Sequence, residues 1–189
     1  ETTNNQISFS TYISSNDLIP IWPYEYAIIP SDTITCKAST IDPFAPTYQY
    51  VFEIDTTDLF NSPFKKHQLI TSAGGVVEAL PYDWINSNSL AAEPITFSDS
   101  TVYFWRCSPD STIKSWQESS FQYIPEKWGW GQSHFFQFKN DAYTNIAYNR
   151  PNRSFDFESS IASLSCNTHV SFVSSGEWQG TSWSLFGAT

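Results

Sequence analysis

The stretch Ile95-Thr-Phe-Ser-Asp-Ser-Thr-Val-Tyr-Phe-Trp-Arg-Cys107 constrains the fold of this chain more than any other. Its second half alternates with period two. Tyr103, Trp105 and Cys107 fall on one side of an extended backbone, and Val102, Phe104 and Arg106 on the other. The first set is large and apolar, and the second ends in a charge. A polar turn, Ser98-Asp-Ser-Thr101, precedes the run, and Ser108-Pro-Asp-Ser111 follows it. The pattern predicts the central strand of an antiparallel β-sandwich.

The neighbouring segments extend the same expectation. Helical periodicity is nearly absent, and eleven prolines separate short runs rich in β-branched and aromatic residues. Leu18–Pro30 carries three prolines. Proline has no ladder donor, so this should be an edge strand broken in two. Thr33–Ala38 reads as a strand with Ile34, Cys36 and Ala38 inward. Tyr48–Asp55 should direct Tyr48, Tyr50, Phe52 and Ile54 to the core. Thr56–Pro63 reads as a turn with Leu59 and Phe60 tucked under it. Shorter strands are expected at Lys66–Thr71 and Val76–Ala79, a turn or short helix within Tyr82–Ala92, and a closing strand at Ser120–Ile124. From residue 18 to 125 this makes about seven strands at turn spacing, enough for two packed sheets.

Beyond Pro125, Trp128-Gly-Trp-Gly131 interrupts the pattern. Further strands are expected at Ser133–Phe138, Asn145–Tyr148, Ser154–Phe157, Ser160–Ser165, His169–Val173 and Trp178–Phe186. Roughly 60 residues are marginal for an independent core. Residues 126–189 therefore either pack on the first module, recruit Ile7–Ile13 from residues 1–17 as an extra strand, or form part of a second sandwich.

Charge narrows the partners. Acids outnumber bases 19 to 9, for a net charge of -10, so nothing neutralises a nucleic-acid backbone. No basic cluster exceeds Lys65-Lys66, which argues against an anionic membrane surface. There is no apolar run of roughly 18 residues, so no membrane insertion by a helix is expected. Abundant Ser, Thr and Asn with little Lys fit a secreted or cell-surface β-rich module. A chain without methionine that opens at Glu1 is expected to be a mature product or an excised piece of a longer polypeptide.

Tyr48–Ile54, the acidic turn Asp55–Phe60, Thr101-Val-Tyr-Phe-Trp-Arg-Cys107, Trp116 and Ser120-Phe121 together resemble a fibronectin type III-like module of secreted bacterial proteins. In that family a Tyr-x-Phe-x-Ile strand precedes a short acidic turn with a buried Phe. A later strand reads Thr-x-Tyr-Tyr-Trp-Arg-Val, and a Trp and a final Ser-Phe strand follow. Cys107 stands where the family usually has Val. The continuation through Gly129-Trp-Gly-Gln-Ser-His-Phe-Phe-Gln-Phe138 is similar to inter-domain regions of large Bacteroidota cell-surface proteins. Some of these resemble gingipain-type peptidases and sortase-like proteins of type IX secretion. The resemblance implies an accessory region, and no catalytic His/Cys pair of the peptidase maps onto this chain. In immunoglobulin-type domains the second and penultimate strands carry an inter-sheet disulfide, which makes Cys36 and Cys107 a candidate bond. The alternative is two small buried hydrophobes. The Asp99-x-Thr-x-Tyr103 pattern would put an immunoglobulin cysteine at Trp105 instead.

Catalytic signals are weak. Cys36, Cys107 and Cys166 show no zinc or Cys-x-x-Cys spacing. His67, His134 and His169 lie in no nucleophile motif. Asp55/Asp58 and Asp156/Glu158 are carboxylates close in sequence, but the first pair suits a turn accepting local N–H bonds and the second the solvent side of a strand whose Phe155 and Phe157 face in. Neither pair has EF-hand spacing for calcium. No catalytic residue, metal or cofactor is expected. The surplus is aromatic. Among eight tryptophans, Trp128, Trp130, Trp178 and Trp183 are candidate ligand-binding residues, since aromatic faces stack on pyranose rings. The competing reading is packing, with Gly129 and Gly131 letting Trp130 plug a neighbour. The chain is thus expected to be a non-catalytic β-sandwich spacer or interaction module of a larger exported protein, its partners being neighbouring domains of the same polypeptide. The alternatives are a carbohydrate-binding module, with polysaccharide as partner, and an accessory region supporting a peptidase domain.

Overall fold

The computed structural model describes residues 17–132 and 134–157. They fall into two compact units divided between Gln137 and Phe138. The first unit is a β-sandwich. Its smaller sheet has three antiparallel strands in the order β1 (Leu18–Trp22), β3 (Cys36–Thr40), β6 (Val76–Ala79). Its larger sheet has seven. They are, across the sheet, β10 (Gly129–Trp130), β2 (Ala27–Ile29), β9 (Gln117–Tyr123), β8 (Thr101–Pro109), β4 (Tyr48–Asp55), β5 (Lys66–Ser72) and β7 (Ile85–Asn86). The period-two run thus forms β8, the middle strand of the larger sheet. All pairings are antiparallel except β2 on β9, which is parallel. The proline-rich segment is two strands, as expected of a chain short of ladder donors. β1 slips register between Pro20 and Trp22, and after a cis Trp22–Pro23 bond the chain crosses to the other sheet as β2.

The core lies between the sheets. Leu18, Cys36, Ala38, Val77 and Ala79 from the smaller sheet meet Ala27, Ile29, Tyr50, Phe52, Ile54, Tyr103, Trp105, Cys107 and Phe121 from the larger. Phe52 and Trp105 stack with ring centroids 6.1 Å apart and planes 8° apart. Such a pair contributes about 0.5–1.5 kcal/mol beyond its buried area. The β8 turn is tied to its own strand, because the Ser98 amide donates to Tyr103 Oη at 2.8 Å.

The larger sheet is also covered on its outer face. Phe60, Phe104 and Phe136 form a second buried cluster, flanked by Tyr26 and Val102. Phe60 is tucked in as expected, whereas Leu59 is exposed. The strand expected at Thr33–Ala38 begins three residues later, at Cys36. Within Tyr82–Ala92 there is the expected turn, at Ser87–Ser89, but also a short strand: Ile85–Asn86 pairs with β5, and Trp84 beside it is completely buried. The sandwich does not close at Pro125, since β10 adds to β2 and Phe136 packs on the outer face. Of the strand expected at Ser133–Phe138, the described residues 134–138 are not extended; Phe135–Phe138 is a 3-10 turn that buries Phe136 and leaves Phe135 exposed.

The second unit is described from Phe138 to Phe157. It holds an antiparallel hairpin of β11 (Ile146–Asn149) and β12 (Ser154–Phe157). Phe138, Tyr143 and Tyr148 gather around Phe155 at centroid distances of 5.3–5.4 Å. Contrary to expectation, Phe155 and Phe157 are exposed rather than turned inward. The strands expected at Ile7–Ile13, Ser160–Ser165, His169–Val173 and Trp178–Phe186 lie outside the described residues.

Candidate functional site: an exposed aromatic corner

One corner of the sandwich gathers aromatic side chains that are exposed or only partly buried. Where the chain crosses between sheets, Pro23 is buried while Tyr24 and Glu25 are exposed and Trp22 and Tyr26 half-buried. Tyr26 adopts a left-handed conformation, φ 63°, and its amide donates to the Ser120 carbonyl at 2.8 Å. The Trp128–Gly131 segment comes alongside from the far end of the unit. It is held by the β2–β10 ladder, by Tyr24 Oη donating to the Gly129 carbonyl at 2.9 Å, and by the Gly131 amide donating to the Tyr26 carbonyl at 2.9 Å. This backbone stitching fixes two large exposed rings: Trp128 is 69% exposed and Trp130 57%.

The rings touch but do not line up. Trp128 lies 6.2 Å from Trp22, tilted by 40°. Trp22 meets Tyr24 at 5.7 Å and 61°, and Trp130 stands edge-on to Tyr26 at 6.0 Å and 87°. Each exposed indole is thus inclined to the half-buried ring it touches. Trp130 is not the plug that its flanking glycines suggested. A Cβ on Gly129 or Gly131 would meet only Ile28 Cδ1, at 3.7 and 3.5 Å. Trp178 and Trp183 lie outside the described residues. Trp22, Tyr24 and Tyr26 had not been singled out, since they belong to an interrupted edge strand about a hundred positions away in sequence.

The other candidates go to structural roles. Asp55 is fully buried and accepts from the amides of Thr56 (2.6 Å) and Ser62 (3.0 Å) and from the Ser62 hydroxyl, so its carboxylate holds the β4–β5 turn. Asp58 in the same turn is also buried. Asp156 accepts from Asn149 Nδ2 at 2.8 Å on the exposed hairpin, and Glu158 is outside the described residues. Among the described residues no three His, Cys, Asp or Glu side chains gather closely enough to hold a metal ion. His67 Nδ1 contacts Ser87 Oγ at 3.0 Å. His134 sits half-buried among Tyr26, Phe104 and Phe136.

Cys36 and Cys107 come from facing strands into the same core as free thiols, so of the two readings they follow that of small buried hydrophobes and not the candidate disulfide. Burial pushes the Cys107 thiol up to about 12. Burial raises Cys36 further, and neighbouring Cys107 adds to it. Both are therefore protonated, unreactive core residues at neutral pH. Cys166 lies outside the described residues.

Fold and corner together define a β-sandwich that presents inclined aromatic rings at one edge. No protein-family model, curated protein or solved structure matches the chain.

Proposed function

We propose that the chain is a non-catalytic interaction module of a larger exported protein, and that it meets a neighbouring domain of the same polypeptide through the aromatic corner. The observation carrying this reading is the exposure of Trp128 and Trp130 on a segment held in place by backbone hydrogen bonds. Large exposed apolar groups in one place mark contact surfaces, and Trp and Tyr supply much contact area at little entropic cost. The polar composition and the fibronectin type III-like resemblance add the expectation of a secreted or cell-surface setting. The accessory region of a type IX-secreted, gingipain-like protein is one such setting, and there the corner would dock the peptidase domain.

The second reading is carbohydrate binding, favoured by the same two indoles. Each indole is inclined to the half-buried ring behind it, Trp128 by 40° to Trp22 and Trp130 by 87° to Tyr26, and each exposes a face on which a sugar ring could stack. Two measurements separate the readings. Oxidative footprinting should find both tryptophans reactive in this chain and protected when the flanking domains are joined to it. Retention on cellulose, chitin or xylan that disappears in a Trp128→Ala/Trp130→Ala variant would favour the carbohydrate reading. Full reactivity in the longer polypeptide with no polysaccharide retained would sink both. The double variant should lose only about 1 kcal/mol of stability, as exposed substitutions do.

A further inference from the structure

The outer face of the larger sheet carries one ionisable group whose surroundings suit only its neutral form. His134 is ringed by Tyr26 at 5.4 Å, by Phe104 at 5.6 Å with perpendicular planes, and by Phe136 at 6.2 Å. Its Nε2 lies 3.5 Å from Ser120 Oγ, while Nδ1 is enclosed without a hydrogen-bond partner. A neutral imidazole can leave one nitrogen as an unused acceptor at small cost. An imidazolium places N–H donors at both nitrogens, and the one at Nδ1 would be buried, charged and unpaired.

We propose that His134 is an acid-sensitive latch: neutral, it seals the segment through Gln137 onto the outer face of the larger sheet, and taking a proton from solvent it releases that segment. The charged groups around it are few. Asp58 faces it from the β4–β5 loop and favours the proton, but burial outweighs that attraction and the imidazole is held below its ordinary range. From β8, Arg106 on the same outer face is committed to Glu53 and to Glu118 of β9. From the β1–β2 crossing, Glu25 beside Tyr26 is exposed, and residues 134–137 hold no other charge. The sign follows. A histidine depressed in the folded state contributes stability that is full above its unfolded pKa, about 6.5, and is lost as pH falls through the folded value. Tyr26 is shared with Trp130, so release also loosens the seat of that indole. The inference does not depend on what the corner binds.

The test is hydrogen exchange on the full chain between pH 7.5 and 5.0, corrected for intrinsic rates, with an NMR titration of the His134 ring. Peptides covering 134–137 should lose protection below pH 6.5 while those covering Tyr48–Asp55 and Thr101–Pro109 keep it. His134→Phe, which keeps a ring but cannot be charged, should abolish that loss, and His134→Gln should do the same if the Phe variant folds poorly. A ring that titrates at or above 6.5 would overturn the latch. So would unchanged protection in the wild type, or the same acid-induced loss in both variants.

Discussion

Removing the Arg106 guanidinium should destabilise the sandwich far more than a surface arginine would. On the outer face of the larger sheet, Glu53, Arg106 and Glu118 stand opposite one another on β4, β8 and β9. Arg106 reaches Glu53 Oε2 through Nε at 2.7 Å and through a terminal nitrogen at 2.5 Å, and Glu118 at 3.8 Å. Its guanidinium lies between two rings, 4.0 Å from the Phe60 centroid and 4.1 Å from that of Trp116. The side chains are 18%, 12% and 9% exposed for Arg106, Glu53 and Glu118, so solvent screens this network little. Breaking such a pair costs about 3–5 kcal/mol, chiefly because the remaining charge stays buried. Each ring contact adds about 0.5–2 kcal/mol. Lys65 opposes this, since at 2.8 Å it still neutralises Glu53. Arg106→Ala is therefore expected to cost about 3–5 kcal/mol in all. Arg106→Lys keeps the charge but loses the planar stack and the second hydrogen bond, and should cost about 1–2 kcal/mol.

Urea unfolding followed by tryptophan fluorescence and far-ultraviolet circular dichroism measures both variants, with midpoint and slope reported separately. A cycle with Glu53→Gln isolates the pair. Adding that change to Arg106→Ala should recover part of the loss, because it removes the buried charge left behind. The penalty should persist at high salt, where an exposed pair would fade. A loss below about 0.5 kcal/mol for Arg106→Ala, or a Lys variant as stable as wild type, would refute this account and make the network an ordinary surface arrangement.

Two further perturbations follow from the same geometry. Iodoacetamide at pH 8 should leave the Cys36 and Cys107 peptides unmodified in the native chain, and label both in denaturant without reductant. Native labelling would contradict their burial, and resistance in denaturant would reveal a disulfide. Gly74→Ala should cost about 1–3 kcal/mol in urea unfolding, because its Cβ would lie 2.5 Å from the Ala45 amide nitrogen and 2.6 Å from the Pro43 carbonyl oxygen, both backbone atoms. A neutral result would mean that the 43–45 loop gives way freely.

Period-two alternation was legible where one face of a strand meets the core and the other meets water. In β3, Cys36 and Ala38 are buried as the pattern requires, while Lys37 between them reaches solvent. It was less informative where both faces are covered. In β4, Val51, Glu53 and Asp55 are buried as well as Tyr50, Phe52 and Ile54, because side chains from neighbouring strands and the β4–β5 turn occupy the outer face. Trp84 escaped notice because a two-residue strand has no period to detect. The Phe135–Phe138 run looked like a strand by composition. Its phenylalanines instead serve different ends, one sealing the outer cluster and another exposed, which a tight turn achieves and an extended strand with one buried face does not.

The corner was half legible, for a reason that concerns range. Trp128 and Trp130 stood out as a local surplus in a broken pattern, but whether they plug a neighbour or face solvent depends on what lies opposite. That is decided by β10 pairing with β2 at the end of a seven-stranded sheet faced by only three strands. Trp128 there meets Trp22, the last residue of β1 in the smaller sheet, and Trp130 meets Tyr26 just before β2, so both indoles lie at the rim of the sandwich and not between its sheets. Trp22, Tyr24 and Tyr26 reach the same corner because β1 and β2 are one segment that changes sheets there. Local spacing carries no record of such unequal sheets. An exposed aromatic at the edge of the larger one is therefore a consequence of topology first. It becomes a binding surface only insofar as the backbone holds the rings fixed, and the hydrogen bonds of Tyr24, Tyr26, Gly129 and Gly131 supply that.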